Sequence, residues 1–261
     1  MLFDFTQVAM ATRWTLRIDV ERSREAEAAQ SAEEAFGELK RLEQLLSHFI
    51  ASSDVARVNA LAAGTRVWVQ AETFECLQLA FQIAEETENA FDVCAGTLID
   101  FYKKNVKLCC DEMPDWRAAY ENYRFGKFIL HPAEQELECA RAGKKIDLGG
   151  IGKGFALDKM AAILKEWEFP RALLIAGGST ILALDAPAGK THWRIGTESG
   201  EELLVNEALS SSGTQFQPTQ FVDPRTGLLA VPAKTVRSRA ASAARADALS
   251  TARAVGWNVA N

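Results

Sequence analysis

The sequence predicts an α+β domain with mixed and antiparallel sheets covered by helices, and three observations lead to this prediction. Segments with the two-residue period of strands and segments with helical spacing both occur among the 261 residues. They follow one another in a mixed order with several hairpins, which differs from the regular strand–helix alternation of a doubly wound fold. The sequence shows neither a repeat of about 20–50 residues nor a linker. We therefore expect a single domain over residues 1–261.

The N-terminal part of the chain is predicted to form a strand and a long helix. Residues 8–20 read VAMATRWTLRIDV. Trp14, Leu16 and Ile18 alternate there with polar residues, which is typical of a half-buried strand. Apolar residues at helical spacing then predict an amphipathic helix over residues 25–47.

The remaining elements follow from the same two periods. The predicted strands cover residues 65–69, 127–131, 136–139, 171–176, 181–184, 193–197 and 202–205. The predicted helices cover residues 71–87, 152–167 and 240–255. The segment that contains Pro114 is predicted as a loop.

Composition and charge exclude several classes of protein. Hydrophobic residues make up 48% of the chain, which is enough for a substantial core. The formal net charge of −6 does not suit a protein that holds nucleic acid by its phosphates. No window approaches the roughly 18 consecutive apolar residues of a membrane span. Asp4 stands where a signal peptide would be basic, so we expect a cytoplasmic protein, or a periplasmic one if an N-terminal anchor has been removed.

Cysteine and histidine usage gives no sign of a disulfide framework, a zinc site or a hydrolase triad. The five cysteines are odd in number and include no CxxC pair. The three histidines are accompanied by no GxSxG motif. For His131 and His192 we expect surface or packing roles.

A glycine-rich segment, KKIDLGGIGKGFALDKM, carries the strongest local signal. Its glycines stand just before a predicted helix, whose N-terminus offers free N–H groups to a phosphate, and Lys153 lies among them. The spacing matches neither a Walker loop nor the dinucleotide GxGxxG motif. The segment is equally consistent with a tight strand-to-helix turn in which Asp147 is an ordinary turn residue.

The C-terminal motif ADALSTA places Asp247 and Thr251 four residues apart, on one face of the predicted helix. A carboxylate and a hydroxyl are hard oxygen ligands of the kind that Mg²⁺ takes, together with substrate phosphates. The alternative is a threonine hydroxyl that bonds the carbonyl four residues earlier, beside a solvated aspartate.

Two further motifs indicate turns. DPRTG contains Pro224, which fixes φ, and Gly227, which permits a left-handed conformation. Gly177 and Gly178 follow the strand LLIA and indicate either a bend or a close approach of the backbone to a ligand.

The order of all these motifs resembles that of the ApbE family of FAD:protein FMN transferases. Over residues 8–256 the chain presents, in sequence, SHF, SDVARVN, AFD, IDLGGIGKG, LLIAGGS, SSG, DPRTG and ADALSTA. DLGGIGKG, DPRTG and ADALST are together the most specific part of the resemblance.

The resemblance implies a T-fold-like α+β domain that binds FAD in a cleft and uses Mg²⁺ to cleave its pyrophosphate. FMN would then be transferred to a threonine hydroxyl of a flavoprotein acceptor. The residues implied to contact the flavin nucleotide are Met10, Phe49, Ala90, Phe91, Asp92, Asp147, Lys153 and Val222. The implied magnesium ligands are the Gly150 carbonyl, Asp247 and Thr251, and the implied catalytic residues are Asp247 and Lys153. We expect Asp247 to lie in a surface cleft and to contribute little to stability.

The chain departs from the family pattern at one position that bears on catalysis. Family members usually have a histidine shortly before DPRTG as a candidate base, whereas this chain has Gln220, and an amide does not take a proton at neutral pH. Two alternatives therefore stand beside transfer. One is an FAD-binding protein or FAD pyrophosphatase that releases FMN and AMP, and the other is a non-catalytic binding module.

Overall fold

The computed structural model describes residues 1–105, 116–197, 200–213 and 221–258. The chain forms two compact units, and each is assembled from three separate segments. Unit 1 comprises Met1–Glu43, Ile151–Ser211 and Arg237–Asp247, and unit 2 comprises Gln44–Gly150, Ser212–Val236 and the chain from Ala248 onward. Helices and antiparallel sheets occur together, so the predicted α+β class is confirmed. The predicted loop at Pro114 and the position of Gln220 lie outside the described residues.

The helices and strands have the following bounds. The helices are α1 (Glu25–Leu46), α2 (Asp54–Asn59), α3 (Ala71–Glu86), α4 (Gly96–Asn105), α5 (Trp116–Phe125), α6 (Gly152–Glu166) and α7 (Ala243–Ala254). The first seven strands are β1 (Leu2–Ala9), β2 (Thr12–Asp19), β3 (Thr65–Trp68), β4 (Lys127–His131), β5 (Glu136–Arg141), β6 (Ala172–Ala176) and β7 (Thr180–Ala183). The others are β8 (Trp193–Thr197), β9 (Gly200–Leu204), β10 (Glu207–Ser212), β11 (Val222–Asp223), β12 (Leu228–Leu229) and β13 (Val236–Ala240).

Unit 1 is built on a six-stranded sheet with the order β1-β2-β6-β7-β10-β13. The apolar strand β6 lies inside this sheet and pairs antiparallel with both β2 and β7. On β2 the side chains of Trp14, Leu16 and Ile18 are buried while Thr15 and Arg17 are partly exposed. The predicted alternation of this strand is therefore confirmed.

The predicted strand over residues 8–20 is wrong at its N-terminal end, where the chain makes a turn. β1 and β2 form an antiparallel hairpin, and Ala9 and Thr12 are the last paired residues before its turn. Met10 and Ala11 form its two-residue turn, with φ values of 48° and 56°. Such turns require two left-handed residues and are usually built from Asn or Gly, so the sequence carries no turn signal here. The Met10 N–H donates a 2.6 Å hydrogen bond to Glu43 of α1, which ties the turn to that helix.

The two long helices of unit 1 follow their sequence predictions within one or two residues. On α1 the apolar residues at helical spacing, including Ala32, Leu39 and Leu42, are buried. The helix α6 packs on β6 and β7. It begins at Gly152 without a side-chain cap, directly after the glycine-rich turn.

Unit 2 combines the three-stranded antiparallel sheet β3-β5-β4 with α2, α3, α4 and α5. The sequence patterns did not indicate α2, α4 or α5. The helices α4 and α5 pack through a cluster that contains Leu98, Tyr102 and Tyr123, with Val222 of β11 buried against it. The Ser53 hydroxyl caps α2 by accepting a 2.9 Å hydrogen bond from the Ala56 N–H. None of the described helices combines the length and the apolar character that are needed to cross a bilayer.

Candidate functional site

A cleft of about 260 Å³ in unit 2 contains the aspartate of the glycine-rich motif. It is lined by His48, Ala56, Asn59, Ala60, Gly96, Asp100, Lys145, Ile146 and Asp147. Asp147 Oδ1 accepts a 2.8 Å hydrogen bond from the Gly149 N–H. Its other oxygen lies 4.0 Å from Lys103 Nζ. The carboxylate is thus held at the cleft wall by the turn that follows it.

Asn59 fixes the backbone just before Asp147. Its side-chain amide donates to the Ile146 carbonyl at 2.9 Å, and its side-chain oxygen accepts from the Ile146 N–H at 2.7 Å. The Asp147 N–H in turn donates to the Val93 carbonyl at 2.7 Å. This role of Asn59 has no signal in the sequence, because hydrogen bonds between residues that are 87 positions apart leave no local pattern.

Asp92, which the resemblance implies as a flavin contact, has a carboxylate that is already well bonded in unit 2. One oxygen accepts from the Cys94 N–H at 2.8 Å. The other accepts from the Tyr123 hydroxyl at 2.5 Å and lies 3.0 Å from Lys144 Nζ. Burial and the Asp92 charge raise the pKa of the Tyr123 hydroxyl, so that it stays protonated and donates to Asp92. Through these contacts Asp92 stabilises the segment that precedes Gly96.

Cys94 lies next to this segment and is buried. Burial, together with the charge of the nearby Asp92, raises the pKa of its thiol well above the usual value. The raised pKa keeps the thiol protonated, whereas the thiolate is the reactive form of cysteine. Cys94 is therefore a packing residue.

The other residues implied to contact flavin differ in exposure. Ala90, Phe91 and Val222 are buried, with 1%, 3% and 6% of their surface exposed. Phe49 is 83% exposed, and its ring contacts the His48 ring with centroids 3.9 Å apart. Met10 forms the hairpin turn of unit 1. Phe49 is therefore the most exposed side chain of this set.

Two implied magnesium ligands, Gly150 and Thr251, lie side by side in unit 2. A Cβ atom placed on Gly150 would stand 2.9 Å from Thr251 Oγ1 and 3.3 Å from Phe91 Cε2. Gly150 is therefore packed so closely that no larger residue fits without a shift of its neighbours. Gly150 and Thr251 are 101 residues apart in the sequence, so their proximity shows that α7 passes next to Gly150.

The third implied ligand, Asp247, lies on α7 one turn before Thr251 and is buried in unit 1, with 4% of its surface exposed. Its Oδ1 accepts hydrogen bonds from Thr180 Oγ1 at 3.2 Å and Ser210 Oγ at 3.1 Å. Its Oδ2 accepts from the Gly154 N–H at 3.2 Å. The expected position in a surface cleft is thus wrong, because β7, β10 and the first turn of α6 surround this carboxylate.

Lys153 contacts the same carboxylate. Its ammonium group lies 4.0 Å from Asp247 Oδ2, and its side chain is 26% exposed. The structure therefore brings together the two implied catalytic residues, and it adds Thr180 and Ser210, which no motif had singled out. Within residues 1–105, 116–197, 200–213 and 221–258, no group of three or more His, Cys, Asp or Glu side chains is arranged to hold a metal.

Gly177 and Gly178 lie in the turn between β6 and β7. Gly177 has a φ of 59°, and its N–H donates to the Arg13 carbonyl at 2.8 Å. Gly178 has open space around it.

Comparison with known proteins identifies the family. The model of the ApbE family matches residues 10–256. An FAD:protein FMN transferase of Treponema pallidum is 28% identical over 185 residues, which are 66% of this chain and 51% of that protein. One of Klebsiella pneumoniae is 27% identical over 212 residues, 75% of this chain and 66% of that protein. The chain thus spans about half to two thirds of the length of these curated relatives.

Solved structures share the fold. The ApbE protein of Thermotoga maritima superposes with a TM-score of 0.81 at 24% identity, over 98% of this chain and 87% of that one. The apo flavinyl transferase ApbE of Pseudomonas stutzeri gives a TM-score of 0.82 at 24% identity, over 98% and 86% of the two chains. With the family model matching nearly the whole sequence, this chain belongs to the ApbE family.

Proposed function

We propose that this chain is a Mg²⁺-dependent FAD:protein FMN transferase that cleaves the pyrophosphate of FAD and transfers FMN to a threonine hydroxyl of a flavoprotein acceptor. The observation that carries the proposal is the close packing of Gly150 against Thr251. It supports a site in which a backbone carbonyl and a hydroxyl from distant parts of the sequence serve the same ligand. The names of the curated relatives support the same activity.

The donor set fits magnesium. The Gly150 carbonyl, the Thr251 hydroxyl and the Asp247 carboxylate are all hard oxygen donors, and they leave positions for water and substrate phosphates. Any larger residue at position 150 would crowd the Thr251 hydroxyl, which is another of the proposed ligands. Bound magnesium would neutralise the pyrophosphate charge. We propose that Asp247, Thr251 and Gly150 hold this ion.

Asp247 and Lys153 would prepare the site for an anionic substrate. The hydroxyls of Thr180 and Ser210 fix the orientation of the Asp247 carboxylate. Lys153, 4.0 Å from Asp247, brings a positive charge to the N-terminus of α6, where free N–H groups also favour anions. We propose that Lys153 contacts the FAD phosphates or the polar edge of the flavin, and that Met10, Phe49, Ala90, Phe91, Asp92, Asp147 and Val222 contribute to the flavin nucleotide site.

Transfer is tested by incubating the chain with FAD, Mg²⁺ and purified acceptor domains that carry an FMN-linkable threonine. We expect a fluorescent acceptor band in a denaturing gel, and no band when the threonine is replaced by alanine. Repeated failure with several acceptors, while FAD still binds, would contradict transfer.

Hydrolysis of FAD to FMN and AMP is the second candidate function, and Gln220 favours it because the amide replaces the usual histidine base. AMP release without any acceptor supports this activity. A Gln220→His variant that gains transfer relative to the wild-type chain would show that the missing base limits transfer. A non-catalytic binding module would instead give neither product, and calorimetry with FAD and Mg²⁺ would show whether such a module binds flavin at all.

A further inference from the structure

The three histidines of the sequence have different surroundings in the structure. His131 Nε2 lies 2.8 Å from Glu138 on the β4–β5 hairpin. His192 Nδ1 is 2.8 Å from the Thr191 hydroxyl at the surface. His48 alone of the three lines the cleft that contains Asp147. His48 is therefore the histidine that lies near the candidate site.

His48 faces a carboxylate that is itself held in place. Its Nδ1 lies 3.8 Å from Asp147 Oδ1, and its side chain is 25% exposed. The Phe49 ring packs against one side of the imidazole. Asp147 is fixed by the Gly149 N–H and by the clamp of Asn59 on Ile146. At 3.8 Å the Asp147 carboxylate is within ion-pair distance of Nδ1, which leaves Nε2 as the nitrogen that could accept a proton.

The other charged groups of the cleft are arranged in pairs. Lys145 Nζ lies 3.0 Å from Asp100 Oδ2, and Lys103 Nζ lies 4.0 Å from Asp147 Oδ2. Asp100, Lys145 and Asp147 line the cleft with His48, and Lys103 approaches the Asp147 carboxylate. Asp147 is the group among them that approaches His48 itself.

We propose that His48, oriented by Asp147, is the general base that removes the proton from the attacking hydroxyl. This inference rests on the proposed function, since it deepens the chemistry of the same site. The hydroxyl oxygen forms a bond to the phosphorus of the FMN moiety, and the P–O bond to AMP breaks with its electron pair on AMP. The hydroxyl proton passes to His48 Nε2 and is later released to water. The attacking hydroxyl belongs to the acceptor threonine in transfer and to water in hydrolysis.

The position of Asp147 links His48 to the candidate metal site. Asp147 stands three residues before Gly150 on one turn, and the Gly149 N–H between them bonds the Asp147 carboxylate. A base oriented by Asp147 is therefore anchored to the same turn as the Gly150 carbonyl. This placement would supply the proton acceptor that Gln220 does not offer.

The test compares His48→Gln with His131→Gln in the full chain, because His131 also pairs with a carboxylate but lies on the β4–β5 hairpin. AMP release from FAD in the presence of Mg²⁺ measures transfer and hydrolysis alike. For His48→Gln we expect kcat to fall by about 10²–10⁴-fold, with little change in FAD affinity. The pH profile of kcat should differ between the wild-type chain and His48→Gln, because the variant lacks the proposed base. Free imidazole should restore part of the activity of His48→Ala.

The outcomes separate the two proposals. An unchanged kcat and pH profile in His48→Gln would overturn the assignment of the base while leaving the proposed function intact. A loss of FAD affinity with an unchanged kcat would likewise overturn it, since His48 would then only bind the nucleotide. A wild-type chain that binds FAD but releases no AMP, with or without an acceptor, would overturn both proposals. In the first two cases His131→Gln should keep the activity of the wild-type chain.

Discussion

Asp158 of α6 accepts a 2.8 Å hydrogen bond from the backbone N–H of Ala243, the first residue of α7. The second carboxylate oxygen accepts from the Ala244 N–H at 2.9 Å. Gly154, one turn earlier on α6, lies so close to the Ala243 carbonyl that a Cβ atom would overlap it. The start of α7, and with it the turn that carries Asp247, is therefore positioned by α6.

Replacing Asp158 by alanine should lower both stability and activity. It leaves two N–H groups of the first turn of α7 without their acceptors, and the loss of a helix cap typically costs about 0.5–2 kcal/mol. Urea unfolding at pH 7 measures this loss. Asp158→Asn, which keeps one acceptor oxygen, should lie between the wild-type chain and Asp158→Ala. Equal stability of all three proteins would show that the cap is not needed.

Phe49→Ala should lower the affinity for FAD more than it lowers the melting temperature. Phe49 is 83% exposed, so its removal costs the folded chain little buried apolar surface. Fluorescence titration with FAD and thermal unfolding give the two quantities. Phe125, which is 62% exposed at the end of α5, provides the matched control, and Phe125→Ala should leave FAD affinity unchanged. A large drop in melting temperature with unchanged FAD affinity would assign Phe49 to packing instead.

The Asp4–Arg17 pair should make the stability of the β1–β2 hairpin depend on pH. Hydrogen bonds of 2.7 and 2.6 Å from the Arg17 guanidinium hold the pKa of the Asp4 carboxyl below its usual value of 3.8, and partial burial opposes this shift. The pair therefore contributes fully above the unfolded pKa and loses its contribution as the pH falls through the folded pKa. Asp4→Asn should lower the free energy of unfolding by about 0.2–1 kcal/mol at pH 7. This difference should shrink as the pH is lowered below 3.8, and a difference that grows instead would contradict the pairing.

The sequence predicted those elements whose apolar period is regular. In α1, Ala32, Leu39 and Leu42 repeat at helical spacing and are buried, and the observed helix ends one residue before the predicted end. The turn at Met10 and Ala11 escaped prediction because its left-handed residues depend on the hairpin register and on Glu43, not on local preference.

The candidate site was predictable only where a motif kept its residues together. Asp247 and Thr251 share a helix face, so their relation is local. The burial of Asp247 depends on Thr180 and Ser210, which lie 67 and 37 residues away in the sequence. Such hydroxyls on strands are common, and nothing in the sequence distinguishes these two.

Gly150→Ala should weaken the response to Mg²⁺. The added Cβ atom would stand 2.9 Å from Thr251 Oγ1, so that the hydroxyl or the Gly150 backbone must shift. Overpacking of this kind costs typically about 1–3 kcal/mol of stability, and it also displaces two of the proposed ligands. AMP release is measured against Mg²⁺ concentration at fixed FAD, where we expect a higher midpoint. The control is Gly178→Ala, because Gly178 has no atom within 4 Å of the new Cβ and should keep the wild-type midpoint.

Asp247→Asn tests the proposed metal site most directly. The amide keeps the size of the buried carboxylate and one acceptor oxygen, which can still accept from the Thr180 and Ser210 hydroxyls, whereas the Gly154 N–H would lose its acceptor. Alanine would leave those donors without an acceptor and would confound stability with function. Asparagine removes the negative charge, which is the only formal charge among the proposed ligands. We therefore expect the apparent affinity for Mg²⁺ to fall by on the order of 10–100-fold or more, while urea unfolding shows a folded protein.

The Mg²⁺ titration of Asp247→Asn should also depend on FAD. A site with one carboxylate, one hydroxyl and one carbonyl carries little charge, so the wild-type chain should bind Mg²⁺ weakly alone and more tightly once FAD supplies phosphate oxygens. The variant should lose most of this gain, because the ion would then lack its only charged protein ligand. Asp185→Asn is the control, since Asp185 accepts its hydrogen bond from Asn206 at the surface. If Asp247→Asn keeps the wild-type Mg²⁺ midpoint at saturating FAD, the carboxylate is not a metal ligand and serves only to join α7 to β7 and β10.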